Sequence, residues 1–168
     1  MSENNKSDQA QAVPLMDPER DTGPAQELML ARAAAIQGYA NIEQSMSVLF
    51  AFLLATDFEV AGIVFFRIVN TRSRMVILHD LLKKRHADKY RIFWDSFEKI
   101  VQSMDSKRNE IIHWHVAHNL DLGEKPKSTF TLVPPNFWRN SSENAITSYE
   151  LNGFSRKCDF VSRLLTMF

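Results

Sequence analysis

The feature that most constrains this chain is the three-and-four spacing of its large apolar residues. Ile36, Tyr39, Ile42, Met46, Leu49, Phe50 and Leu53 fall at the intervals of one helix face. The spacing predicts a long first helix over residues 25–55. Gly38 weakens it by about 1 kcal/mol relative to alanine, too little to end so periodic a segment. Glu43 lies in the middle of this helix. A mid-helix carboxylate is usually solvated; the alternative is that Glu43 faces the region of Arg108.

Further helices follow from the same reasoning. Asp57 can cap a second one, with Val60 or Ala61, Val64, Ile68, Val76, Leu78 and Leu81 as its buried positions and a candidate interruption at Asn70-Thr71-Arg72-Ser73. A third starts near Asp88 and carries Phe93, Phe97, Ile100, Val101 and Met104, with Trp94 beside them. It either continues through Asp105-Ser106 or restarts there. Past Asn119, Gly123, Pro126, Pro134 and Pro135 flank the run Ser128 to Val133, which predicts a strand in a small hairpin or an extended arm. Thr147 and Glu150 form a capping box, after which Leu151, Phe154, Cys158, Val161 and Leu165 predict a closing amphipathic helix. The expected fold is all-α, a bundle of four to five helices with a short extended or hairpin insertion near residues 127–134.

Length and composition bound what such a bundle can do. At 168 residues, 45% hydrophobic and 24% charged, the chain has the size and balance of one ordinary globular domain. Twenty basic side chains cancel 20 acidic ones, so no global field draws it to nucleic acid or an anionic membrane. A local excess does exist between Arg67 and Arg91, where Arg72, Arg74, Lys83, Lys84 and Arg85 are candidates for RNA contact. Cys158 is the 1 cysteine, which excludes an intrachain disulfide and a cysteine-based zinc site and fits a reducing cytoplasm. Residues 1–12 lack the pattern of a secretory signal. The most apolar window, residues 46–66, is broken by Asp57 and Glu59, so no membrane span is expected. Residues 1–24, polar and containing Pro14, Pro18 and Pro24, are expected to form a disordered arm ahead of a helical domain over residues 25–168.

Chemistry concentrates in one stretch, Lys107-Arg108-Asn109-Glu110-Ile111-Ile112-His113-Trp114-His115. Arg108 offers a permanent charge and planar donors suited to a phosphate, and His113 or His115 offers a proton carrier working near neutrality. Together they suit cleavage of RNA without metal, by attack of a ribose 2′-hydroxyl on the adjacent phosphorus to leave a 2′,3′-cyclic phosphate. On a helix, Arg108 and His113 lie roughly 140° apart, whereas Asn109 shares a face with His113 and Arg108 nearly shares one with His115. One helix therefore cannot turn all four groups to one phosphate. Two copies meeting across a two-fold axis could, which makes a homodimer part of the expectation.

Arg108-Asn109 followed by His113 resembles the Arg-polar-x3-His signature of HEPN domains, helical domains found in many RNA-cleaving toxins, defence proteins and CRISPR effectors. The resemblance covers roughly residues 25–168. It implies an all-α domain, a symmetric dimer with its cleft at the motif, endoribonuclease activity in active members, and Arg108, Asn109 and His113 as the catalytic set. An antitoxin or regulatory protein is among the partners it implies. Some HEPN toxins carry a tyrosine two residues past the histidine that a partner adenylylates; His115 stands there in this chain, which excludes that control. Many HEPN-like proteins serve instead as binding or dimerisation modules, and a non-catalytic module for a nucleotide, RNA or protein is the alternative.

Other chemistries have less behind them. His113, His115 and His118 could suggest a metal, but only His115 and His118 lie close in angle on a helix and no HExxH pair accompanies them, so neither metal nor cofactor is expected. Trp94, Trp114, Phe137 and Trp138 could stack on bases, although aromatic residues are more often core. No glycine-rich phosphate loop, nucleophile elbow or paired-carboxylate motif points to a small-molecule enzyme.

Overall fold

The fold is described from a computed structural model, over residues 18–121, 127–135 and 144–167; for residues 18–22, 121 and 127 the backbone alone is described. Five helices and a two-stranded hairpin follow one another along the chain: α1 (Pro18–Leu54), α2 (Phe58–Arg67), α3 (Thr71–His86), α4 (Arg91–His113), β1 (His115–Asp121), β2 (Lys127–Val133) and α5 (Ser148–Thr166). The expected helical class holds, with the hairpin as the one sheet among the described residues.

α1 is the axis of the core. Leu28, Ala31, Ala35, Tyr39, Ile42, Met46, Leu49 and Leu53 step along it at three and four, and all are buried. Ile36, expected on this face, is 36% exposed, because the small Ala35 takes the inward position one residue earlier. The helix begins at Pro18, ahead of residue 25, so the described part of the expected arm is helical; residues 1–17 lie outside the described residues. It ends on Ala55, whose φ of 52° turns the chain while Thr56 N–H donates to the Ala51 carbonyl at 3.1 Å.

The expected second helix is two helices. Asp57 caps α2, its carboxylate accepting from the Glu59 and Val60 N–H groups at 2.8 and 3.3 Å. Asn70 does the same for α3, accepting from Arg72 and Ser73 at 2.8 and 3.3 Å. The break resets the helical phase, which corrects the expected buried set. Ala61 and Phe65 are buried on α2, while Val60 and Val64 are exposed and Ile68 is half-buried. On α3, Met75, Leu78 and Leu82 are buried, Leu81 packs at the core margin and Val76 is exposed.

α4 runs unbroken through Asp105-Ser106, burying Trp94, Phe97, Val101, Met104 and Ile111. Ile100 is 45% exposed rather than buried. The expected strand is β2, and its partner β1 pairs with it antiparallel, from His115 opposite Val133 to Asp121 opposite Lys127. Leu132 also exchanges 2.8 Å hydrogen bonds with Ile146, which ties the hairpin to the segment entering α5.

α5 buries the five residues its spacing predicts, and the Thr147–Glu150 capping box forms. It lies parallel to α1: Ser148 Oγ donates to Glu27 Oε1 at 2.8 Å, Ser155 Oγ to the Ala34 carbonyl at 3.3 Å and Ser162 Oγ to the Asn41 carbonyl at 3.4 Å. These contacts recur every seven residues on both helices, the repeat of a parallel coiled pair. A β-carbon added at Gly38 would stand 3.0 Å from Cys158 Cβ, so the glycine sets how closely the two helices approach.

Candidate functional site

Arg108 lies on the side of α4 that faces α1 and α3, where it joins a cluster of charged and polar groups. Its guanidinium carbon is 5.0 Å from the centre of the Tyr39 ring, and one nitrogen stands 4.0 Å from Glu43 Oε1 and 4.0 Å from Asp105 Oδ1. The other donates to Asn109 Oδ1 at 2.8 Å. Glu43 therefore does face Arg108, and its side chain is only 18% exposed.

The stronger partner of Glu43 is Arg74, in a direct ion pair on the same carboxylate oxygen. Arg74 also donates to the Ile68 carbonyl at 2.7 Å and packs over the rings of Phe65 and Phe66. It is buried and held on every side by its own chain, which corrects its place among the surface candidates for RNA contact. Asp105, in turn, accepts from the Tyr39 hydroxyl at 2.9 Å and from Thr71 Oγ1 at 3.3 Å. Burial first, then the hydrogen bond and negative charge of Asp105, push the Tyr39 phenol well above its ordinary range. Tyr39 consequently stays protonated and acts as a fixed donor. Two guanidinium groups and two carboxylates make the cluster neutral in formal charge.

Asn109 and His113 are exposed on α4, and the His113 imidazole makes no hydrogen bond or ion pair with a described residue. His115 does not share a helix face with Arg108, as expected from a continuous helix, because α4 stops at His113. Trp114 takes extended backbone at the C-cap and its N–H reaches back to the Glu110 carbonyl at 2.9 Å, so His115 opens β1. Arg32 from α1 satisfies one carbonyl left over by that ending, donating to Ile112 O at 2.7 Å. His118 stacks on Phe130 at 4.5 Å and shares a 2.7 Å hydrogen bond with Ser128, within the hairpin.

The remaining basic candidates are solvent-facing: Arg72 near the start of α3, and Lys83, Lys84 and Arg85 in its last turn, where positive charge complements the helix dipole. Trp94 is core, and Phe137 and Trp138 lie outside the described residues. No group of three or more metal-ligating side chains gathers among the described residues. A hollow of about 800 Å³ runs between α4 and α5 and is lined by Lys99, Ser103, Lys107, Phe154, Lys157 and Phe160. It lies on another side of α4 from Arg108.

Tyr39, Thr71, Asp105 and Arg32 complete this region without having been singled out as site residues. A signal for two of them was present: Tyr39 and Glu43 are one helical turn apart, as are Asp105 and Arg108. Comparison with known proteins adds no relative, since no family model, no curated protein and no solved structure matches the chain.

Proposed function

We propose that this chain is a HEPN-like, metal-independent endoribonuclease that acts as a homodimer in the cytoplasm. The observation that carries the proposal is the contrast between the two arginines of the cluster. Arg74 is buried in short contacts, whereas Arg108 has a side chain 27% exposed and meets its carboxylates only at 4.0 Å, on the helix that also carries exposed Asn109 and His113. A phosphate at that rim competes with long ion pairs rather than short ones. His113 takes the proton from the ribose 2′-hydroxyl, the freed oxygen attacks phosphorus, and the 5′-oxygen leaves and is protonated from the second copy's imidazole or from water. Arg108 balances the charge on the pentacoordinate centre. A regulatory partner of the antitoxin kind would act by covering the same rim.

The formal neutrality of the cluster favours a second reading, a non-catalytic dimeric module in which Arg108 is structural. The two are separated by cleavage of a mixed RNA pool in EDTA by the wild type, His113→Ala and Arg108→Ala, with circular dichroism reporting the fold. Cutting by the wild type alone, leaving cyclic phosphate ends, supports the enzyme. Folded wild-type protein that leaves every RNA intact supports the module.

A further inference from the structure

The face of α2 turned away from the core is apolar where a lone domain would be polar. Ala61 and Phe65 point inward, the Phe65 ring 5.5 Å from Phe50, and Ile63 stands about 180° around the helix from them. Phe58, Val60, Ile63, Val64 and Phe66 are between 44% and 67% exposed. Together they present on the order of 500 Å² of apolar side chain, more than scattered surface residues account for.

The pattern along this face also specifies what covers it. Reading outward from Ile63, Val60 and Phe66 lie three residues to either side, and Glu59 and Arg67 lie four to either side. A second α2 laid antiparallel across a two-fold axis at Ile63 therefore sets Ile63 on Ile63, Val60 beside Arg67, and Glu59 against Phe66 with Arg67 within reach, at both ends. Both charged side chains are exposed, and neither forms an ion pair with a described residue. A helix face that is apolar at its centre and opposite in charge at its two ends is complementary to itself. Val60, Ile63 and Phe66 form the apolar centre of that contact, and exposed Phe52, Phe58 and Val64 border it.

We infer that the face Glu59, Val60, Ile63, Phe66 and Arg67 of α2 is a homodimer interface, joined by a second copy of this chain in antiparallel register. It does not rest on the catalytic reading, because the readout is assembly rather than RNA cleavage. Phe66 also packs on Arg74, 5.5 Å from its guanidinium, so the interface adjoins the Glu43–Arg74–Arg108 cluster.

The test is sedimentation equilibrium of the full chain. The wild type is expected to dimerise, and Ile63→Asp to be a folded monomer by circular dichroism. Glu59→Arg should weaken the dimer about tenfold, because like charges then meet at two symmetric positions. Adding Arg67→Glu to it should restore affinity to within about threefold of wild type. A monomeric wild type, a dimer indifferent to Ile63→Asp, or a double variant no stronger than the single one overturns the inference. So does a monomer that instead sediments with phosphatidylcholine vesicles through Ile63, which would make the face a lipid contact.

Discussion

At the scale of single residues, the Arg74–Glu43 pair is the one whose removal should be felt most. Its side chains are 8% and 18% exposed, so truncating Arg74 to alanine leaves a poorly hydrated carboxylate with only the long contact to Arg108. Urea unfolding of Arg74→Ala should show a loss of about 3 kcal/mol, and Arg74→Met combined with Glu43→Met should lose less than the single truncation. Tyr39→Phe removes the shorter of the hydrogen bonds that the Asp105 carboxylate accepts from Tyr39 and Thr71 and should cost about 1 kcal/mol. Two buried acids also set an alkaline limit. Burial pushes the Cys158 thiol up from 9.0 to about 12, and Tyr39 is raised from 10.0. In both, the unfolded chain loses its proton first, so their stabilisation is complete below pH 9 and falls as pH rises from about 9 for the thiol and from about 10 for the phenol. Stability measured by urea against pH should therefore decline above pH 9, and Cys158→Ala should flatten the earlier part of that decline.

At the scale of elements, local chemistry and packing were legible to different degrees. Asp57 and the Thr147–Glu150 box mark helix starts because a cap is a contact between near neighbours in sequence. The buried face of α5 was legible because five apolar residues at helical spacing leave one orientation. α2 was not: with Phe58, Val60, Ile63, Val64, Phe65 and Phe66 all apolar, only Glu59 and Arg67 near its two ends mark the outside. β1 was hidden because its start depends on α4 ending at His113, where Arg32 from a distant part of the chain takes up a carbonyl. Gly38 shows how the sign of an effect can turn on a partner. Alanine there gains about 1 kcal/mol of helix propensity, yet its β-carbon would stand 3.0 Å from Cys158 Cβ on the neighbouring helix. The contact should win, with Gly38→Ala lowering stability by about 1–2 kcal/mol. Cys158→Ala should not relieve it, since the clash is with Cβ, whereas Cys158→Gly should.

At the scale of the whole molecule, assembly and chemistry are separable by experiment. If two copies bind through α2, the melting temperature should rise with protein concentration in the wild type and cease to do so in Ile63→Asp. EDTA should leave the melting temperature unchanged, because no metal contributes to the proposed chemistry; a fall on chelation would reopen the metal reading of the histidines.

The sequence by itself determined the helical class, the capped starts of α2 and α5, the stripe that makes α1 central, and the stretch where an arginine, an amide and a histidine come together. Each is a matter of residues within a few positions of one another, where backbone geometry alone fixes which side chains share a face. Only the tertiary structure decided that Arg74 is buried, that Tyr39 and Asp105 stand beside Arg108, and that His115 leaves the helix. Glu43 and Arg108 are 65 positions apart in the chain and 4.0 Å apart in space. Contacts of that kind follow from how α1, α3 and α4 pack, and no local period encodes them.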